Sequence, residues 1–194
     1  MTLERRKKNK ILNRSFHDHK RGTPIKLHYI IQQHKSRNMH WDFRLQIGNE
    51  MYSWAIPKGP SLNPRDARLA VETTPHSLEY NNFEGVIAKG LYGAGRVLQW
   101  DKGTYQPAGE HGDVEAMYEN GLIKFKLNGE KLHGKWALVK THNEWLLIKM
   151  NDRFADKRKD IIKTDRRSTK SGKTINEITK DDGYISEEEK LGFD

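Results

Sequence analysis

The chain reads as a single, mainly β domain, a sandwich or a barrel, and three observations point there. Short runs rich in β-branched and aromatic residues recur from Leu27 to Met150. Turn chemistry interrupts them every few residues, at Lys35-Ser36-Arg37-Asn38, Gly48-Asn49, Pro57-Lys58-Gly59-Pro60 and Asn63-Pro64. Several of the runs alternate apolar with polar residues, the period of a strand with one buried face.

The elements follow in order. Leu27–His34 and Met39–Ile47 flank a polar turn, and Met51–Ile56 follows Gly48-Asn49, so two hairpin connections fall in under thirty residues. Further strands are expected at Arg68–Thr73, Phe83–Ile87, Gly95–Tyr105, Leu122–Leu127, Lys135–Thr141 and Glu144–Met150. One short helix fits Val114–Asn120, with Asp113 as its N-cap and Gly121 just past its end. Trp100, Trp136 and Trp145 lie in strand-like stretches and are expected in the core. Gly90-Leu-Tyr-Gly93-Ala-Gly95 lacks the Lys-Ser/Thr ending of a P-loop and is read as a tight turn into the next strand.

Composition narrows the function classes. At 194 residues, 35% hydrophobic and 31% charged, there is material for one core but not for two ordinary domains. The absence of cysteine excludes disulfides, thiolate zinc sites and cysteine nucleophiles. No apolar run suits a membrane span and the basic first residues are not a secretory signal, so a cytoplasmic protein is expected, and nothing in the sequence demands more than a monomer. The net charge of +9 is uneven. Residues 1–26 carry nine Lys/Arg against Glu4 and Asp18, a net of +7, whereas residues 151–194 carry eleven of each sign. Three regions are therefore expected: a flexible basic arm over 1–26, a β domain over 27–154, and a mobile charged tail over 155–194 with a transient helix near Asp156–Lys163. The arm suits a polyanion, since each cation placed on a phosphate releases counterions.

The chemistry is concentrated in His34-Lys-Ser-Arg-Asn-Met-His40-Trp-Asp42-Phe-Arg44-Leu45. On a strand, His40, Asp42 and Arg44 share one face while Trp41, Phe43 and Leu45 share the other, the core side. If Lys35–Asn38 is a hairpin loop, His34 ends one strand where His40 begins the next. Two imidazoles and a carboxylate then meet at the hairpin's mouth, a donor set that suits a first-row divalent ion such as manganese, iron or zinc. Arg44, one pleat further on, is placed to fork onto a phosphate. The bland reading of His-x-Asp on a strand is a surface ion pair. Downstream, His76 and Tyr80 are candidates for phosphate binding or proton donation, against the plainer reading of a turn His and a half-buried Tyr.

These stretches resemble the 3′-phosphoesterase domain found in bacterial DNA ligase D. The matching segments are Gln33-His34, Met39–Leu45, Ser53–Leu62, Arg68–Val71, His76 with Leu78 and Tyr80, Phe83–Gly85, Tyr92–Gly95, Trp100–Gly103, Gly134–Lys140 and Trp145–Lys149, within residues 27–154. The resemblance implies a small closed β-barrel with one or two short helices and an active site on its outer surface. It implies His34, His40 and Asp42 as manganese ligands, with Arg44, His76 and Tyr80 as the catalytic groups on the scissile phosphate and Lys58 as a further substrate contact. The implied activity is a phosphodiesterase step that removes a 3′-terminal ribonucleoside, then a phosphomonoesterase step that leaves a 3′-hydroxyl on DNA. A separate DNA ligase or polymerase is the implied partner. The chain departs from the family pattern at Thr74-Pro75, where an acidic pair is usual, and at Lys35-Ser36 and Trp41. Two rival readings are a non-heme iron oxygenase-like barrel, which needs His76 on the metal and leaves His34 idle, and a non-catalytic DNA-binding barrel driven by the basic arm.

Overall fold

Among the described residues, ten strands form one sheet, and eight of them close on themselves. The computed structural model describes residues 27–78, 82–108 and 113–186. The strands are β1 (Leu27–Lys35), β2 (Met39–Ile47), β3 (Glu50–Ile56), β4 (Ala67–His76), β5 (Gly85–Ile87), β6 (Gly95–Pro107), β7 (Leu122–Gly129), β8 (His133–Lys140), β9 (Trp145–Lys149) and β10 (Tyr184–Ile185). The sheet order β1-β2-β3-β4-β9-β8-β7-β6 is closed by pairing of β6 with β1, giving an antiparallel barrel. Closure removes the open edges that an eight-stranded sheet would expose. The long β6 serves two neighbours along one edge: Gly95–Val97 pairs with β5, and Gly103–Pro107 pairs with β7.

The expected alternation holds on β2. Phe43, Leu45 and Ile47 point inward and are buried with Ile31, Trp54, Phe125, Leu138 and Leu147. Trp100, Trp136 and Trp145 are in this core, as their strand context implied. The short helix α1 (Val114–Glu119) begins where expected, with Asp113 accepting from the Ala116 amide at 3.0 Å. It ends one residue early, with Asn120 as C-cap and Gly121 at φ +72° supplying the left-handed turn. Its Tyr118 stacks on Trp145 at 5.6 Å between centroids and approaches Trp54 at 6.4 Å. β5 is shorter than the expected Phe83–Ile87, because Glu84 is turned inward. Its carboxylate accepts from the Gln99 amide at 2.8 Å and from Ser168 Oγ at 2.5 Å.

The segment expected to be a mobile tail from residue 155 packs instead on the barrel as far as residue 186. Ile161, Ile175 and Ile178 join the core, and Trp100 Nε1 donates to the Asp165 carbonyl at 2.7 Å. The helix expected near Asp156–Lys163 is a single turn, α2 (Ile161–Thr164). A 3₁₀ turn (Lys180–Asp182) leads into β10, which lies parallel to β5. There the backbones of Gly85 and Gly183 approach so closely that a Cβ on either would collide with the other strand. Three isoleucines scattered among charges have no periodicity, which is why their burial leaves no strand or helix pattern. The basic arm over 1–26 lies outside the described residues. No helix among the described residues is long and apolar enough to cross a membrane.

Candidate metal and phosphate site

The β1–β2 hairpin brings the sequence-predicted donors together. His34 is the register partner of His40, and Gln32 that of Asp42. Ring centroids of the two histidines lie 4.7 Å apart. Among the described residues, one donor atom from each of His34, His40 and Asp42 falls within 4.8 Å of the others.

The tautomers follow from the outer hydrogen bonds. His34 Nε2 donates to the Gly93 carbonyl at 2.8 Å, and His40 Nδ1 donates to the Asn38 carbonyl at 3.0 Å. The remaining nitrogens, His34 Nδ1 and His40 Nε2, face Asp42 at 3.6 and 3.4 Å. These separations exceed an ordinary hydrogen bond. For the two His–Asp pairs they lie close to the ~3–3.5 Å between donors that each hold one first-row ion at about 2.0–2.2 Å. Backbone carbonyls behind both imidazoles are the usual outer support of metal-binding histidine. The donor set therefore fits a divalent ion.

Arg44 completes the wall. Its Nε donates to Gln32 Oε1 at 3.0 Å, its guanidinium stands 3.6 Å from Asp42 Oδ2, and the residue is 3% exposed. Burial opposes ionisation of Asp42, but its interactions with His34, Arg44 and His40 outweigh it, so the carboxyl is held below its usual range. Burial, followed by the charge of Arg44, lowers His76 to about 4. In the metal-free protein His76 is thus neutral near pH 7.

A β-bulge puts His76 on this side of the barrel. Between β3 and β4 the register shifts by one residue, with Ser53 opposite Thr73 but Met51 opposite His76. The extra residue falls at Thr74-Pro75, where proline's missing N–H is tolerated. Without it His76 would take the opposite face from Thr73; with it both line one cavity of about 450 Å³ together with His34, His40, Asp42 and Arg44. The three donors that converge are thus His34, His40 and Asp42, with His76 on the cavity wall, whereas an oxygenase-like triad requires His76 among the donors.

Lys58 is exposed just beyond β3 and does not line this cavity. Tyr80 lies outside the described residues. Sequence reasoning missed Gln32, Thr73, Tyr92 and the Gly93 carbonyl. Gln32 was open to discovery, since it precedes His34 by two on the same strand face. The Gly93 carbonyl was not, because the turn over 88–94 reaches His34 only through the fold. Gly93, at φ +75°, sits in that turn, where Ala94 N donates to the Leu91 carbonyl at 3.1 Å.

Comparison with known proteins agrees with this geometry. Residues 32–140 match the family model described as the DNA ligase D 3′-phosphoesterase domain. Over 115 residues the chain is 45% identical to the multifunctional non-homologous end joining protein LigD of Pseudomonas aeruginosa, a match covering 59% of this chain and 13% of that protein. The multifunctional non-homologous end joining DNA repair protein LigD of Mycobacterium tuberculosis is 41% identical over 113 residues, covering 58% and 14% respectively. For the Mycolicibacterium smegmatis protein LigD the identity is 39% over 118 residues, covering 58% and 15%. The chain thus spans a small part of the curated relatives it matches. With the family model covering more than half of its length, and with a donor cluster, arginine and histidine converging inside the matched region, the chain belongs to the DNA ligase D 3′-phosphoesterase domain family.

Proposed function

We propose that this protein is a manganese-dependent phosphoesterase that cleans the 3′ ends of DNA. In this reading it removes a terminal ribonucleoside to leave a 3′-phosphate, then removes the phosphate to leave a 3′-hydroxyl. The single observation behind the reading is the convergence of the His34, His40 and Asp42 donors, with outward-bonded imidazoles, beside the buried guanidinium of Arg44. A divalent ion held by these three residues supplies neutralisation of phosphate charge and acidification of a bound water.

The chain's own groups account for the rest. Arg44 is fixed by Gln32 and Asp42, so its charge is already oriented when negative charge builds on the phosphate oxygens. Thr73 and His76 border the same cavity and hold the phosphate from the opposite wall. Protonation of the leaving oxygen falls to His76 or Tyr80. Lys58, exposed beside the hairpin end, meets the DNA backbone rather than the scissile phosphate. The product, a 3′-hydroxyl, is the end that a polymerase extends or a ligase seals.

The test is a labelled primer on a template, ending in one 3′ ribonucleotide, with a second primer ending in 3′-phosphate. Each is incubated with the protein and manganese, with EDTA and His40→Ala as controls. Metal-dependent shortening followed by conversion to 3′-hydroxyl is expected. If the wild type binds both primers but leaves them unchanged, the catalytic reading fails and a DNA-binding barrel replaces it.

A further inference from the structure

The outer face of β1 carries more than the metal site. Gln32 and His34 line the first cavity. The next outward residues along the same strand, Ile30 and His28, line a second cavity of about 660 Å³. Its other walls include Gln46 on β2, Lys102 and Thr104 on β6, and Asn128 at the end of β7. In the wall of the first cavity Arg44 donates to Gln32, and Gln32 donates to the Phe83 carbonyl at 2.9 Å. His76, the last residue of β4, lines the first cavity, and Leu78 and Asn82 line the second.

The bulge in the β1–β6 pairing makes the second cavity possible. Ile31 is opposite Asp101, but Gln32 is opposite Gln99, so Trp100 is the extra residue. Val97 lines the first cavity, and after this shift Lys102 and Thr104 face the same outer wall. Lys102 is exposed and makes no ion pair among the described residues.

We propose that this second cavity is a subsite for the DNA strand on the 5′ side of the scissile phosphate. The inference rests on the phosphoesterase reading. From His34 to Ile30 is about 13 Å of strand, roughly four nucleotide steps at ~3.4 Å each. A leaving nucleoside is bonded directly to the scissile phosphate and does not reach so far; the upstream strand does. The chemistry suits a nucleotide. Leu78, 40% exposed, offers an apolar surface to a base or sugar beside the buried Ile30, and Asn128, Gln46 and Thr104 offer neutral polar groups. Lys102, set against Glu130 on the same wall, provides for one backbone phosphate rather than a phosphate cluster.

Two surface variants test this with little risk to folding. Lys102→Glu removes the cation, and Asn128→Lys adds one to the same rim. Each is assayed on a long 3′-phosphate primer and on a substrate cut back to a single nucleotide upstream. Lys102→Glu is expected to raise KM for the long primer on the order of tenfold, to leave kcat alone, and to flatten the salt dependence of binding by about one contact. Asn128→Lys is expected to lower KM for the long primer. Neither changes KM for the short substrate. Unchanged KM on the long primer, or an equal change on both substrates, overturns the subsite. If the wild type turns over neither substrate, the enzymatic reading has failed on its own. Fluorescence anisotropy of a labelled 3′-hydroxyl primer in EDTA then decides the groove: weaker binding by Lys102→Glu supports it, and equal binding overturns it.

Discussion

Two buried aspartates on neighbouring walls of the barrel have opposite characters. Asp42, on the outer face of β2, faces two imidazoles and a guanidinium at 3.4–3.6 Å, and its carboxyl is held below the ordinary range. Asp101, on β6, is fully buried. It accepts from Tyr29 Oη at 2.7 Å and from the amides of Glu130, Lys131 and Leu132 at 3.1, 2.8 and 2.9 Å. Burial outweighs these bonds, and the Asp101 carboxyl is pushed up. Tyr29 is raised in turn by burial and by its acidic partner. Asp101 has donors at every side, all supplied by the fold, and its task is to tie the β7–β8 turn to β1. Asp42 stands in a loose cluster that opens onto a cavity. Short bonds from four donors mark Asp101 as a structural carboxylate, whereas Asp42 faces titratable groups at longer range beside a cavity.

The comparison breaks most visibly at Asp42. Asp42→Asn is expected to lower phosphoesterase activity by more than about 100-fold, the upper end of what loss of an outer-shell partner costs. It should also abolish the rise in Tm expected when manganese is added to the wild type, which differential scanning fluorimetry reads directly. Retention of both would make Asp42 as structural as Asp101.

Asp101→Asn should do the reverse. An amide nitrogen in place of Oδ2 confronts the Leu132 N–H with another donor. A loss of about 2 kcal/mol is expected in urea denaturation, from a buried donor left unsatisfied. The manganese-induced rise in Tm should persist. Tyr29→Phe is a milder version, removing one hydrogen bond to Asp101, and about 1 kcal/mol is expected by the same measurement.

The last effect is a pH dependence on the site's side of the comparison. His76 titrates near 4 in the folded, metal-free protein against 6.5 when unfolded. The unfolded state therefore binds more protons between these values, and stability rises with pH across that window. The contribution is complete above pH 6.5 and is lost as pH falls toward about 4. Chemical denaturation of His76→Gln across this range should show a shallower acid loss than the wild type. Parallel curves would show that His76 is more open to water than its place in the cavity implies.

Much of this was legible along the chain. The two hairpins, the capped helix and nine of the strands follow from alternation and turn residues, because these signals are local. The face shared by His40, Asp42 and Arg44 follows from the period of two. The placement of His76 was half legible: Thr74-Pro75 is a fitting place for a bulge, but only the register with β3 shows that the bulge exists. The C-terminal segment misled, because its charge density predicts solvation while Ile161, Ile175 and Ile178 are buried one by one.

By itself the sequence determined the barrel's strands, the inward apolar set and the metal-donor types, since propensity and periodicity act between near neighbours. The tertiary structure alone decided which partners orient those donors. The Gly93 carbonyl behind His34, the bulge that turns His76 outward and the second cavity between β1, β2 and β6 all depend on residues distant in the chain. Their proximity is set by sheet closure and register, which no local pattern encodes.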